Sequence, residues 1–140
     1  MAKVLIIDDD DIFRDFIGAV LERNGHEVIT VGSARHVVHG LRKHLMRSSF
    51  DIVIVDMLMP EVNGIEVIRT FKESYHGEKI LAVTGGSGRS GGAATRLELA
   101  MHFGAEATLV KPFSTAELCR TVAETLGFGA SSDSRRAAAC

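Results

Sequence analysis

The stretch VLIIDDDDIFRDF, residues 4–16, runs from four aliphatic residues through four aspartates into an amphipathic segment. A short run that is wholly apolar is typical of a strand buried on both faces of a sheet. The segment after the aspartates carries apolar residues at helical spacing, namely Phe13, Phe16, Ile17, Val20 and Leu21. Gly25, directly after Asn24, supplies a stop. The stretch therefore predicts a buried strand with acids at its carboxyl end, followed by a helix.

The same alternation of strand and helix continues along the chain. Strands are predicted at residues 3–7, 26–31, 51–55, 79–83 and 107–110, and helices at Ile12–Asn24, Ala34–Arg47, Ile65–Tyr75, Ala93–Phe103 and Thr115–Leu126. Because parallel strands need a covering crossover connection, this order predicts an α/β fold with helices on both faces of a parallel sheet. The pattern stops at Gly127, so we expect one domain over residues 1–127 and a flexible tail or linker stub over 128–140.

The composition limits the classes of function. The chain has 140 residues, of which 46% are hydrophobic, enough for one domain with its own core. Its 16 basic and 18 acidic residues nearly balance, so direct binding to nucleic acid or to an anionic membrane is not expected. The apolar runs are far shorter than the roughly 20 residues that span a bilayer. The first residues lack the apolar core and cleavage site of a secretory signal, and a cytoplasmic location is expected.

Polar residues gather at the predicted carboxyl ends of four strands. The aspartate run follows the first strand, Asp56 the third, Thr84 the fourth and Lys111 the fifth. In an open parallel sheet, ligands bind beyond these ends, where the winding reverses. Carboxylates gathered there repel one another unless a proton or a cation neutralises them, and Mg²⁺ prefers oxygen ligands. A carboxylate beside Mg²⁺ can attack phosphorus, while an amine and a hydroxyl bind the other oxygens. The aspartate run alone is equally explained by capping of the next helix.

Four motifs in this order resemble the receiver domain of two-component response regulators, and the chemotaxis regulators in particular. They are LIIDDDD (5–11), VDMLMPEVNG (55–64), AVTGG (82–86) and LVKPF (109–113), and the resemblance covers residues 3 to about 126. It implies a flavodoxin-like, doubly wound (βα)5 sandwich with five parallel strands in the order 2-1-3-4-5. It also implies a phosphorylation-dependent switch of a phosphorelay, which catalyses only its own phosphorylation and dephosphorylation.

The resemblance assigns a metal site and a phosphoacceptor. Asp56 matches the phosphoacceptor. The ligands of Mg²⁺, or of Mn²⁺ in its place, would be Asp8, Asp9, Asp56 and the backbone carbonyl of Leu58, with Asp9 binding directly and Asp8 through water. Capping is then the better interpretation of the remaining two aspartates, Asp10 and Asp11.

The resemblance also assigns the groups that bind the phosphoryl oxygens and the partners of the domain. Thr84 and Lys111 match the hydroxyl and the ammonium group, and the bond from Lys111 to Pro112 is expected to be cis. The implied partners are a sensor histidine kinase or phosphotransfer protein and an unidentified downstream protein. The chain is expected to be a monomer or a weak dimer linked to phosphorylation.

Several positions depart from the pattern of this family. Thr108 stands three residues before the lysine, where an aromatic residue is usual. Leu58 and Gly86 cannot orient water through a polar side chain, which predicts slow self-dephosphorylation. The glycine-rich stretch Gly85–Gly92 lacks the GK[ST] ending of a nucleotide-binding loop, and the hypothesis for it is a segment that orders when Asp56 is modified.

Two other functions remain open from the sequence. A phosphohydrolase with an aspartyl-phosphate intermediate would use a nucleophile on the first strand with an acid or base two residues on, and Asp8 and Asp10 have that spacing. The loop after Asp56 and the LVKPF motif have no part in such an enzyme. A docking module of receiver fold that is never phosphorylated is the third possibility.

Overall fold

The computed structural model describes residues 2–32, 50–59, 63–74, 78–85 and 92–127. The strands are β1 Lys3–Ile7, β2 Glu27–Val31, β3 Ile52–Asp56, β4 Lys79–Gly85 and β5 Ala107–Lys111. The helices are α1 Asp11–Arg23, α2 Gly64–Ser74, α3 Gly92–Phe103 and α4 Thr115–Thr125. The predicted helix Ala34–Arg47, residues 86–91 and the predicted tail lie outside the described residues. Within the described ranges, no helix combines the length and the apolar character needed to cross a bilayer.

The five strands form one parallel sheet in the order β2-β1-β3-β4-β5, which confirms the predicted fold class and strand order. The chain passes from β1 outward to β2 and then returns to β3 on the other side of β1. The winding therefore reverses between β1 and β3, and a crevice is expected beyond their carboxyl ends. Ile7 pairs with Val55 at that end, which places Asp8 and Asp56 next to each other.

Two hydrophobic clusters cover the two faces of the sheet. One joins alternate residues of β1, β3 and β4 to α2 and α3. The other joins the intervening residues, with Leu109 of β5, to α1 and α4. Because successive side chains of a strand point to opposite faces, this alternation also determines on which face of the sheet the side chains at the strand ends lie. It assigns Asp8, Asp56 and Lys111 to the α1/α4 face and Thr84 to the α2/α3 face.

The ends of the described strands and helices differ from the predicted ones by one or two residues, and this difference affects the residues of the site. Asp56, Thr84 and Lys111 were predicted just after their strands, but they lie within β3, β4 and β5. The reason is that the ladder continues: Asp56 pairs with Val83, and Lys111 pairs with Gly85. Their backbones are thus held by sheet hydrogen bonds rather than by loops.

The capping interpretation of the last two aspartates is confirmed. Asp10 is the N-cap of α1, and its Oδ1 accepts a hydrogen bond from the Phe13 amide at 3.1 Å. Asp11 is the first residue of the helix, where a negative charge interacts favourably with the helix dipole. The run of four aspartates is therefore divided between a pocket and a helix start.

Gly64, the first residue of α2, packs directly on the turn after Asp56. A Cβ at Gly64 would lie 2.9 Å from the Met57 Cα and 3.2 Å from the Asp56 carbonyl oxygen, so backbone would have to move. We expect Gly64→Ala to lower the free energy of unfolding by about 1–3 kcal/mol, the usual cost of overpacking, in urea denaturation. Gly18→Ala is the control, because its nearest neighbours would be 3.7 Å away. Equal stability of the two variants would contradict the close approach.

Candidate functional site

Three carboxylates meet at the carboxyl ends of β1 and β3, which are neighbours in the sheet. Oxygens of Asp8, Asp9 and Asp56 lie within 4.8 Å of one another. Asp8 is 2% exposed and Asp56 is 6% exposed, whereas Asp9 faces solvent. Buried carboxylates at this separation repel unless a cation or a proton lies among them. The arrangement thus favours a positive charge among the three carboxylates.

Lys111 supplies one such charge from β5. Its Nζ lies 3.2 Å from Asp8 Oδ2 and 3.9 Å from Asp56 Oδ2. The same Nζ lies 3.8 Å from the centroid of the Phe13 ring, which makes a cation–π contact. Phe113 packs edge-on against Phe13 with the ring centroids 5.7 Å apart. The ammonium group is therefore held between two carboxylates and an aromatic face.

Phe13 and Arg14 are site residues that the sequence analysis missed. The helical spacing assigns Phe13 only to the apolar stripe of α1. Its position in the first turn of the helix, close to the acidic run, is the feature of the sequence that indicates a place near the site. Arg14 donates from Nη1 to the Asp8 carbonyl oxygen at 2.9 Å and pairs through Nη2 with Asp11 at 2.7 Å. These contacts fix the turn that carries Asp8.

Backbone amides bind the two buried carboxylates. The Leu58 amide donates to Asp56 Oδ1 at 3.0 Å, and the Asp10 amide donates to Asp8 Oδ1 at 2.9 Å. The Leu58 side chain is 51% exposed, so it lies over the turn without closing it. Asp56 is therefore fixed in orientation by Leu58 while one side of the turn stays open to solvent.

The electrostatics of Asp56 follow from this environment. The pKa of Asp56 is raised from the ordinary 3.8 to about 6, with burial as the largest cause and the hydrogen bond from Leu58 opposing the rise. The negative charges of Asp8 and, to a smaller extent, Asp9 contribute to the rise, and the positive charge of Lys111 opposes it. Most molecules hold Asp56 as a carboxylate at pH 7, but its ionised form is strained by lost hydration. A cation bound at the cluster would relieve that strain.

The donor set suits a magnesium-like ion. All three side chains offer carboxylate oxygens, two of them buried and one exposed to solvent. Mg²⁺ takes oxygen ligands and normally keeps several waters, which an open side of the site permits. Burial, together with the negative charges of Asp8 and Asp9, disfavours the ionised form of Asp56, and a bound cation would favour it.

Thr84 contacts a residue of α3. Its side chain is fully buried, and Arg96 Nε donates a hydrogen bond to its Oγ1 at 3.1 Å. Among the residues that the structure describes, the hydroxyl bonds Arg96 rather than a carboxylate. No motif or spacing in the sequence indicates Arg96, because it lies in α3 beyond the glycine-rich stretch. The expected cis peptide bond between Lys111 and Pro112 is present.

Comparisons with known proteins agree with this fold. The family model of the response regulator receiver domain matches residues 4–123. The response regulator protein FleR of Pseudomonas aeruginosa is 34% identical over 122 residues, which are 87% of this chain and 24% of FleR. The CAI-1 autoinducer sensor kinase/phosphatase CqsS of Vibrio cholerae is 30% identical over 86% of this chain and 17% of CqsS. This chain thus spans only a minor part of either protein.

A solved structure gives the same result. The response regulator receiver protein from Burkholderia phymatum superposes with a TM-score of 0.78 at 30% identity. The match covers 94% of this chain and 99% of that one. Together with the family model, which spans most of the chain, this shows that the chain belongs to the response regulator receiver domain family.

Proposed function

We propose that this domain is a switch that accepts a phosphoryl group on Asp56 from a phosphohistidine and thereby changes its partner-binding surface. The observation that carries the proposal is the contact of buried Asp8 and Asp56 with Lys111 at the point where the sheet reverses its winding. The hydrogen bond from one backbone amide and the neighbouring ammonium group support the role of Asp56 as a nucleophile held in a fixed orientation.

The reaction assigns a separate role to each group. A carboxylate oxygen of Asp56 attacks phosphorus, the P–N bond to the donor imidazole breaks, and the imidazole nitrogen keeps the electron pair and takes up a proton. The product is an acyl phosphate on Asp56. Lys111, whose Nζ lies 3.9 Å from Asp56 Oδ2, would pair with a phosphoryl oxygen. The Thr84 hydroxyl would donate to another oxygen after leaving its present face of the sheet.

A divalent ion completes the proposal. Asp8, Asp9, Asp56 and the backbone carbonyl of Leu58 would hold Mg²⁺, or Mn²⁺, with Asp8 acting through water. Bound there, the ion would offset the charge that develops on the transferring group. The open side beside Asp9 leaves room for waters and for the donor phosphate.

The partner proposed from this chemistry is a sensor histidine kinase or a phosphotransfer protein, with an unidentified protein downstream. Membership of the receiver family implies such a phosphohistidine donor, and one relative is named a sensor kinase/phosphatase. We propose a cytoplasmic location because phosphohistidine donors act there. The domain would extend over residues 1–127, with 128–140 as a tail or linker.

The hydrogen bonds disfavour the phosphohydrolase alternative. In that mechanism Asp8 would attack and Asp10 would act as acid or base. Asp8 Oδ1 instead accepts from the Asp10 amide, and its Oδ2 pairs with Lys111. The Asp10 carboxylate caps α1 at the Phe13 amide. Both side chains are thus committed to structural contacts, whereas one oxygen of Asp56 has only the longer contact to Lys111.

The test is intact mass after incubation with Mg²⁺ and a small acyl-phosphate donor. We expect one phosphoryl addition to the wild type that requires Mg²⁺ and is absent from Asp56→Asn. Asp51→Asn is the matched control, since Asp51 is an exposed aspartate at the opposite end of β3. Addition to Asp56→Asn, or addition to no variant under any condition, would refute the proposal and favour the docking module.

The lifetime of the phosphorylated domain gives a second prediction. Because the Leu58 side chain is half exposed beside Asp56 and has no polar group, it cannot orient an attacking water. We expect Leu58→Asn to shorten the lifetime of the acyl phosphate by roughly 3- to 10-fold, since the amide can position water. Leu58→Met, which adds no hydrogen-bonding side chain, is the control. An unchanged or longer lifetime in Leu58→Asn would contradict this role.

A further inference from the structure

The hydrogen bond between Arg96 and Thr84 joins helix α3 to the end of β4. Thr84 is fully buried, and Arg96 Nε lies 3.1 Å from its Oγ1. Arg96 is the fifth residue of α3, so its side chain reaches back from the second turn of the helix. A hydrogen bond from a charged donor to a hydroxyl is among the stronger ones that proteins form.

The two faces of the sheet separate this hydroxyl from the carboxylates. Ile80 and Ala82 of β4 pack in the cluster with α2 and α3, and the alternation of the strand gives Thr84 the same face. Asp56 and Lys111 follow the alternation toward α1 and α4. The Thr84 hydroxyl therefore lies on the face of the sheet opposite the phosphorylation site in the unmodified protein.

We propose that Arg96 is a positioning residue that holds the Thr84 hydroxyl on the α3 face until Asp56 is phosphorylated. The inference rests on the proposed role of Thr84 as a phosphoryl ligand. For Thr84 to bind a phosphoryl oxygen, its side chain must rotate or the end of β4 must shift, and the hydrogen bond to Arg96 is given up. A hydrogen bond that forms only in the unmodified state must be broken when the phosphoryl group binds. It therefore weakens the binding of the phosphoryl group by an amount equal to the free energy of that hydrogen bond. Modification of Asp56 thereby releases the first turns of α3.

The experiment is a titration of the protein with beryllofluoride, a tetrahedral phosphoryl analogue, in the presence of Mg²⁺. Arg96→Met keeps the apolar stem of the side chain and removes the donor. We expect it to bind beryllofluoride about tenfold more tightly than the wild type, the scale of one hydrogen bond to a charged group. Arg69→Met is the matched control, because Arg69 is an exposed arginine on α2 that pairs with Glu73 at 3.7 Å.

Thr84→Val isolates the coupling from any effect on folding. In that background the hydroxyl is gone, and Arg96→Met should leave beryllofluoride affinity unchanged. NMR of the unligated protein gives a second readout: in Arg96→Met the amide signals of Thr84 and Gly85 should move toward their positions in the beryllofluoride complex.

The outcomes separate this inference from the proposed function. Unchanged or weaker binding by Arg96→Met, with normal binding by the wild type, would overturn the inference and leave the proposed function standing. An equal gain in affinity in the Thr84→Val background would also overturn it, because Arg96 would then act without Thr84. Failure of the wild type to bind beryllofluoride at any Mg²⁺ concentration would overturn both.

Discussion

Lys111→Met is expected to reduce the rate of phosphorylation of Asp56 by about 100-fold, the usual effect of deleting one preorganised charge donor. In the unmodified protein the Lys111 ammonium contacts both buried carboxylates, at 3.2 Å from Asp8 and 3.9 Å from Asp56. It is the group best placed to pair with charge that develops on a phosphoryl oxygen. Its loss also raises the pKa of Asp56 further, because Lys111 is one of the groups that lower it.

The measurement is the time course of phosphoryl addition by intact mass, at saturating Mg²⁺ and a fixed concentration of acyl-phosphate donor. Methionine keeps most of the apolar stem of the side chain and removes the ammonium group, so the fold should persist, which circular dichroism would check. Lys79→Met is the control, because Lys79 is the exposed first residue of β4, at the end of the strand opposite the site. A rate for Lys111→Met within about threefold of the wild type would contradict the role of Lys111 in binding the phosphoryl group, because removal of such a donor usually has a far larger effect on the rate.

Asp56→Asn is expected to stabilise the metal-free protein at pH 7.5 by about 1–2 kcal/mol. Asparagine keeps the acceptor for the Leu58 amide and removes the charge next to Asp8 and Asp9. A pKa raised from 3.8 to about 6 corresponds to ~3 kcal/mol of disfavoured ionisation. Solvent at the open side screens part of this, which reduces the expected difference.

The pH dependence gives the sign of this effect. Because the pKa of Asp56 is higher in the folded than in the unfolded chain, the folded protein holds the proton more tightly. The contribution of the protonated Asp56 carboxyl to the free energy of unfolding is fully present below about pH 3.8, and it is lost as the pH rises through about 6. The advantage of Asp56→Asn should thus be absent near pH 4, grow up to pH 7 and then level off.

Urea denaturation of both proteins from pH 4 to pH 8 in a chelator would measure this difference. Addition of Mg²⁺ should stabilise the wild type and have a much smaller effect on Asp56→Asn, because one ligand has lost its charge. If the wild type is more stable than Asp56→Asn at pH 7.5 without metal, the ionised carboxylate of Asp56 does not destabilise the folded protein, and the prediction is wrong.

Much of the fold could be predicted because local pattern and sheet physics agree in this chain. The apolar runs at residues 4–7 and 52–55 predict strands buried on both faces, and both are fully buried. The strand order came from the family resemblance and is confirmed by the pairing of β1 with β2 and β3. The proximity of Asp8 and Asp56 followed from the order of the strands alone.

The contacts that the sequence could not predict depend on side-chain geometry across elements. Nothing in the spacing of Phe13 and Lys111 indicates that a ring and an ammonium group almost 100 residues apart meet at 3.8 Å. Likewise, Arg96 and Thr84 meet because α3 packs on β4 at one particular distance and rotation. The placement of Thr84 on the face opposite Asp56 required the observed hydrophobic clusters, since motif order alone suggested one shared pocket.

The position of the phosphoryl group is the most direct test of the central claim. Borohydride reduces an aspartyl phosphate to homoserine, so peptide sequencing by mass after treatment of the phosphorylated protein identifies the modified residue. We expect homoserine at position 56 in the Mg²⁺-treated wild type and none in a sample without Mg²⁺. Homoserine at position 8, the nucleophile of the phosphohydrolase alternative, or at any residue other than Asp56, would contradict it.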